Sequence, residues 1–367
     1  YDGTSTGVLV DTTPPTGGLV YDGQTIGSDI DFTVSTTSLS AIWTLHDDPQ
    51  SGIARYYYAI GTVQGGTDVV TWTDNGTQTN VINNSLSLQS GVTYYFSVKS
   101  VNRAGTELAV PVYSDGTVVD ANVPNPPGKP VSIKPPVMLG DDGKYYITIT
   151  SMAWSWAGTD NSPSGITGYN VCVSTLAGGA DIYNDSGTVT ASFLMTSLQP
   201  GYNYYSKVKV RSNNGYVSLY SDNSDGVMVD LTPPTTPQLT DEGSYTNSKK
   251  LASMFSSSDS ESGIAAYQWR IIDSGFGTSG IAKIDWQLVP GTGTAVEYTF
   301  TSLDNGETYY IQLRTKNNAG VWSGIGTTAG IVYDGTDHKP VATQPVPETE
   351  RCAPESPQVP YHSRSCL

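Results

Sequence analysis

Leu88-Gln-Ser-Gly-Val-Thr-Tyr-Tyr95 is written twice more in this chain, as Leu198-Gln-Pro-Gly-Tyr-Asn-Tyr-Tyr205 and Leu303-Asp-Asn-Gly-Glu-Thr-Tyr-Tyr310. The copies lie 110 and 105 residues apart. Solenoid coils recur every ~20–50 residues, so this interval marks whole domains in tandem. A unit of about 105 residues is long enough to bury its own core.

Working outward, each unit repeats the same landmarks. A strand carries an aromatic, Trp43, Trp156 or Phe255, followed by Ser-Gly-Ile at 51–53, 164–166 and 262–264. The aromatic precedes that glycine by nine, nine and eight residues, and Tyr56, Tyr169 and Tyr267 follow it by four. Alternation is then clear: Tyr169, Val171 and Val173 share one face, Asn170, Cys172 and Ser174 the other. Period two predicts a strand with one buried face and places Cys172 outward. A third aromatic recurs at Trp72, Tyr183 and Trp286. Beyond the Tyr-Tyr pair, Asn/Gly turns lie at 102–105, 213–215 and 317–320; Asn and Gly tolerate the positive φ that tight hairpins need. No long 3.6-residue period appears. About seven short strands per unit with frequent turns predict a two-sheet sandwich.

Proline marks the joints. Asp11-Thr-Thr-Pro-Pro15 matches Asp230-Leu-Thr-Pro-Pro234, and Asp120 opens a looser version through Pro124, Pro126 and Pro127. Proline fixes φ and lacks an N–H, so these segments read as short, stiff connectors. The expected division is repeat 1 at 13–122, repeat 2 at 123–232 and repeat 3 at 233–337. Residues 1–12 match a closing strand such as Ser224-Asp-Gly-Val-Met-Val-Asp-Leu231. They read as the remnant of a preceding repeat, the alternative being a strand donated in trans. Residues 338–367 lose all alternation and read as a Pro-rich flexible tail.

Together these residues resemble tandem fibronectin type III domains of bacterial surface or secreted proteins. The resemblance rests on Trp43, Trp156 and Phe255 and on the Leu-x-x-Gly-x-x-Tyr-Tyr block, and covers roughly residues 13–337. It implies an all-β array of fibronectin type III or immunoglobulin-like sandwiches. It also implies that the block is a tyrosine corner, whose ring is buried and whose hydroxyl bonds backbone; Tyr95, Tyr205 and Tyr310 are assigned that role. The family implies spacing, adhesion or display rather than chemistry. Phe255 in place of Trp and the irregular joint at Asp120 depart from its pattern.

Composition narrows function. Only 14% of the 367 residues are charged, and acidic residues outnumber basic ones 34 to 18, a net charge of −16. Nucleic-acid binding needs a basic footprint and is not expected. No apolar run reaches the ~18 residues of a membrane span. The three cysteines form no disulfide framework: Cys172 stands alone, and Cys352 and Cys366 lie in the tail, where His338 and His362 fit no common zinc spacing.

No nucleophile elbow, zinc-protease motif or phosphate loop is present. His46 has no counterpart in the other repeats, and Asp47-Asp48 read as turn residues, so no catalytic residue is assigned. The cofactor expectation is none, with one opening: a calcium-like cation at the joints. The sandwich would place Asp11 near Asp47 and Asp48, Asp120 near Asp160, and Asp230 near Asp259 and Glu261. Hard cations want six to eight oxygens, whereas turn-capping acids accept backbone N–H groups instead. Tyr56-Tyr57-Tyr58 must put a ring outward, for glycan stacking or for cross-strand packing. The expected role is a non-catalytic extracellular or cell-surface stalk or filament segment, partnered by other modules or copies of itself. The alternative is a carbohydrate-binding or spacer module of a secreted polysaccharide-active enzyme.

Overall fold

A computed structural model describes residues 7–135, 137–158, 161–276, 282–290 and 293–336. Asp160 and the tail residues Cys352, Cys366, His338 and His362 lie outside the described residues.

The first repeat contributes β1 (Val20–Asp22), β2 (Phe32–Thr33), β3 (Leu39–Trp43), β4 (Ile53–Gly61), β5 (Val70–Asp74), β6 (Asn80–Asn83), β7 (Thr93–Asn102), β8 (Val112–Tyr113) and β9 (Thr117–Val119). One sheet runs β1-β3-β6; the other runs β2-β9-β7-β4-β5, with β8 also on β7. The chain crosses between sheets after β1, so β2 lies parallel to β9, with Phe32 opposite Val118. Alternation sets the inner faces. Leu39, Ala41 and Trp43 of β3 meet Tyr56, Tyr58 and Ile60 of β4 and Tyr94, Phe96 and Val98 of β7 in one core.

The second repeat repeats the plan with β10 (Val131–Lys134), β11 (Met138–Leu139), β12 (Tyr145–Ile147), β13 (Ser151–Ser155), β14 (Ile166–Ser174), β15 (Tyr183–Thr188), β16 (Ser192–Thr196), β17 (Asn203–Ser212) and β18 (Val227–Val229). Its sheets run β10-β13-β16 and β11-β12-β18-β17-β14-β15. Trp154, Trp156, Tyr169, Val171, Tyr204 and Val208 share its core.

The third repeat has β19 (Gln238–Asp241), β20 (Tyr245–Thr246), β21 (Lys250–Ser256), β22 (Ile264–Asp273), β23 (Ile284–Leu288), β24 (Ala295–Thr299), β25 (Thr308–Asn317), β26 (Gly326–Thr327) and β27 (Ile331–Tyr333). They are ordered β19-β21-β24 and β20-β27-β25-β22-β23, with β26 on β25. Among the described residues no sheet mixes strands of different repeats. The protein is thus an all-β tandem array of two-sheet sandwiches.

By compactness the chain falls into two units. The larger holds residues 1–237, 256–268 and 314–326, and so contains the first two sandwiches and the turns of the third that meet Asp230. Among the described residues the smaller holds 238–255, 269–276, 282–290, 293–313 and 327–336, including the β21–β24 ladder with Leu251 opposite Tyr298.

Trp43, Trp156 and Phe255 are all buried. They occupy one structural position: their N–H groups donate to Thr79, Ala191 and Thr294 at 2.8, 3.2 and 2.9 Å, each just ahead of the partner strand. The corner, by contrast, is shifted by one residue from its expected place. Tyr94, Tyr204 and Tyr309 are the buried rings, and their hydroxyls accept the N–H of Gln89, Gln199 and Asp304, each at 2.8 Å. Tyr95, Tyr205 and Tyr310 face the other way and are half-buried. Each lies over a glycine with φ of +104°, +80° or +103°, at 116, 226 and 330. A Cβ on Gly116 would come within 2.6 Å of the Tyr95 ring, so both conformation and close approach demand glycine there. The reason for the shift is parity: Ile311 and Leu313 point inward, which carries Tyr309 rather than Tyr310 to the core.

Cys172 does leave the core face, yet it is only 1% exposed. Tyr220 covers it, with its hydroxyl 3.2 Å from Sγ, and the Asp185 N–H lies 3.4 Å away.

Candidate functional site

Each joint is built around the aspartate that ends one repeat. Asp120 gives its backbone N–H to Thr33 of repeat 1, at 2.8 Å, and Asp230 gives its own to Ile147 of repeat 2, at 2.9 Å. Their side chains turn the other way, into the next repeat. The proline segments then clip onto that repeat, through N–H bonds from Thr16 to Asp47, Gly128 to Ala157 and Thr235 to Ser258. Proline's missing N–H leaves only such isolated contacts.

At the first joint Asp11 and Asp48 converge. Asp11 Oδ1 accepts the Thr13 N–H at 3.0 Å, and Oδ2 accepts Ser51 Oγ at 2.5 Å. Asp48 Oδ1 accepts the N–H groups of Gln50, Ser51 and Gly52 at 3.2, 2.8 and 3.0 Å. Gly52 takes the positive φ of +76° that turns three N–H groups toward one oxygen. Between the carboxylates lies Asn102 Nδ2, donating to Asp11 Oδ2 at 3.0 Å, Asp48 Oδ2 at 2.9 Å and the Thr13 carbonyl at 3.1 Å. Hydrogen bonds hold both acids below the usual carboxylate range, led by Ser51 for Asp11 and by Asn102 for Asp48. Asp47 is exposed and contributes only its backbone, to Thr16.

The third repeat copies this. Asn317 Nδ2 donates to Asp230 Oδ2 at 2.9 Å, Asp259 Oδ2 at 3.2 Å and the Thr232 carbonyl at 3.0 Å. Asp259 Oδ1 collects the N–H groups of Glu261, Ser262 and Gly263. Here a further acid enters. Burial pushes the Asp230 carboxyl up, and the Glu261 carboxylate beside it pushes it further. Glu261 is lowered by its bond with Asp230 and accepts Thr232 Oγ1 at 2.5 Å.

The middle joint differs. Counting back from the turn glycine, Ser212 stands where Asn102 and Asn317 stand, so the amide bridge is lost. Asp120 Oδ2 instead accepts Ser162 Oγ and, at 3.1 Å, the Ser164 N–H. Burial would raise this carboxyl, and the two serines outweigh it and lower it. Asn214 Nδ2 ties the carbonyls of Asp120 and Asn122 at 3.2 and 2.9 Å.

Asp11, Asp48, Asp120, Asp230, Asp259 and Glu261 thus act as acceptors for N–H and O–H donors. At the Asp11 and Asp230 joints an amide nitrogen occupies the space between carboxylates that a cation would otherwise share. Asn102 and Asn317 escaped the sequence reading as partners because they lie 91 and 87 residues from their aspartates; the signal available was an asparagine three residues before the turn glycine, present in two repeats of three.

No protein-family model matches the chain, and no curated protein matches it in sequence. Among solved structures it is similar to the FN1-FN3 domains of chicken CNTN1, with a TM-score of 0.29 and 16% identity over 88% of this chain and 98% of that one.

Tyr57, Trp72 and Trp286 are engaged by cations of their own sheet. Lys99 Nζ sits 5.6 Å from the Tyr57 ring centre and 4.9 Å from that of Trp72. Arg270 lies 4.7 Å from Trp286, and Tyr183 stacks edge-on against Phe193 at 5.2 Å. Each of these cations engages one face of its ring. His46 is buried, its Nδ1 2.8 Å from Ser100 Oγ and its ring edge-on to Tyr56, with no carboxylate as partner. No described helix is long and apolar enough to cross a membrane.

Proposed function

We propose that this protein is a non-catalytic extracellular or cell-surface spacer, a stiff stalk or filament segment that holds other modules at a set separation. The observation that carries this reading is the double attachment of Asp120 and Asp230. One residue bonds by its backbone to the repeat behind and by its side chain to the repeat ahead. A linker that only had to tether would need neither contact, because a flexible chain already bounds the distance between domains. Proline on the far side of each aspartate removes further backbone freedom. The acidic surface keeps such an array soluble at a crowded boundary.

The test is small-angle scattering of the full chain and of Asp120→Ala and Asp230→Ala. The expected result is a broadened distance distribution in either variant, with circular dichroism unchanged. Superimposable scattering profiles would refute the spacer reading, since the joints would then owe no rigidity to the aspartates.

A further inference from the structure

The crossover of the first sandwich, 23–31, carries the chain from β1 on one sheet to β2 on the other. Asp22 ends β1, Asp29 lies on the crossover and Asp115 on the turn ahead of β9. One carboxylate oxygen from each lies within 4.8 Å of the others. Asp22 is only 1% exposed. Its Oδ2 accepts the Gly116 N–H at 3.0 Å and the Ser114 hydroxyl also faces the carboxylate, while Oδ1 is buried with no hydrogen-bond partner of its own. A buried carboxylate oxygen without a donor is costly, and an ionised one without a counter-charge more so. Asp29 and Asp115 border an open cavity with Tyr21, Val112 and Tyr113.

The other repeats treat the same corner differently. The residue before the corner glycine is Asp115 here, Asp225 in repeat 2 and Ala329 in repeat 3. Asp225 is neutralised by Lys129 Nζ at 2.5 Å. Among the described residues no lysine or arginine pairs with Asp22, Asp29 or Asp115. Three converging acids therefore lack the protein cation that their counterpart has.

We propose that Asp22, Asp29 and Asp115 form a calcium site that ties the crossover of the first sandwich to the turn ahead of β9. Two of their oxygens already accept N–H groups, Asp22 Oδ2 from Gly116 and Asp29 Oδ1 from Asp22. The remaining carboxylate oxygens, with water, meet the demand of a hard cation for about six to eight oxygens. Calcium fits better than magnesium, because the acids come from a loop and a turn of irregular spacing and magnesium demands near-ideal octahedral geometry. The site is distinct from the joints, where amide and backbone donors fill the carboxylates.

The experiment uses the full chain stripped with chelator, followed by calorimetry with calcium and by tyrosine-sensitised luminescence with terbium, for which Tyr21 and Tyr113 are the adjacent sensitisers. At free calcium about a hundred times Kd, the transition of the first repeat should rise by about 10 °C or more. Calcium should displace the terbium signal. Asp29→Asn with Asp115→Asn, both exposed and safe for folding, should abolish both effects. Asp22→Asn should also abolish them while raising the chelator-treated midpoint. An unchanged calcium response in the double variant, a rise matched by sodium at equal ionic strength, or a larger rise with magnesium overturns the assignment.

Discussion

Replacing Tyr94 by alanine should remove most of the stability of the first repeat, and replacing its neighbour Tyr95 should not. The Tyr94 ring is 4% exposed and packs in the core with Trp43, Leu88, Phe96 and Val119. A buried aromatic covers about 150–250 Å². At about 25 cal/mol per Å² the low end gives roughly 4 kcal/mol, within the ~3–5 kcal/mol typical of such truncations. Tyr94→Phe keeps the ring and strips the hydroxyl that accepts the Gln89 N–H at 2.8 Å. That should cost about 1 kcal/mol, the net worth of one hydrogen bond. Tyr95 is half-buried over Gly116, so its alanine variant should lose about 1–2 kcal/mol of partial burial. The assay is urea unfolding of the full chain, following the first repeat through tryptophan emission and hydrogen exchange. If Tyr95→Ala costs as much as Tyr94→Ala, the inward parity of β7 has been misassigned and the corner reasoning fails for all three repeats.

Asn102→Ala should destabilise the first repeat by about 2–3 kcal/mol, because two carboxylates and the Thr13 carbonyl lose their donor together; a loss under about 0.5 kcal/mol in urea unfolding would show that water replaces the amide. His46 gives a pH signature. Burial pushes its ring down from 6.5 to about 4, so it folds neutral and takes up a proton on unfolding between those values. Stability from this ring is complete above pH 6.5 and lost as the pH falls to about 4, by about 2 kcal/mol once partial solvent screening is allowed for. His46→Gln should flatten that slope in urea titrations at pH 7, 5 and 4; an unaltered slope assigns the loss to carboxylates instead. Cys172 should resist thiol labelling in the folded chain, read by peptide mass mapping, and Tyr220→Ala should expose it; equal labelling of both proteins would mean that the phenol is not its cover.

Much of this architecture is legible in one dimension, because the determinants that repeat are local. The aromatic-to-glycine spacing finds one structural position in all three repeats, even with Phe255 in place of Trp. The Tyr-Tyr pair is where local reading slips. Two adjacent tyrosines satisfy either parity, and only the flanking Ile311 and Leu313 decide which ring goes inward. Cys172 illustrates a different gap: alternation assigns a face correctly, but Tyr220, 48 residues on, decides whether that face sees water. The joints and the acidic corner needed three dimensions. Asn102 reaches back 91 residues to Asp11, and Asp22 accepts from Gly116, 94 residues on. No periodicity encodes such meetings; they follow from the sandwich bringing its poles together.

The aspartate at each joint has a consequence for where one module stops and its neighbour begins. A cut placed after Asp120 or Asp230 severs a residue that two modules own jointly. The downstream module would lose an acceptor for Ser164 or Asn317, and the upstream one would keep a carboxylate with nothing to grip. Modules shuffled by recombination, or excised for engineering, would stay whole only if the break fell ahead of the aspartate and a copy of it were left on both sides. The unit of inheritance in such an array is therefore an overlapping tile rather than a bead, and its overlap is a single side chain.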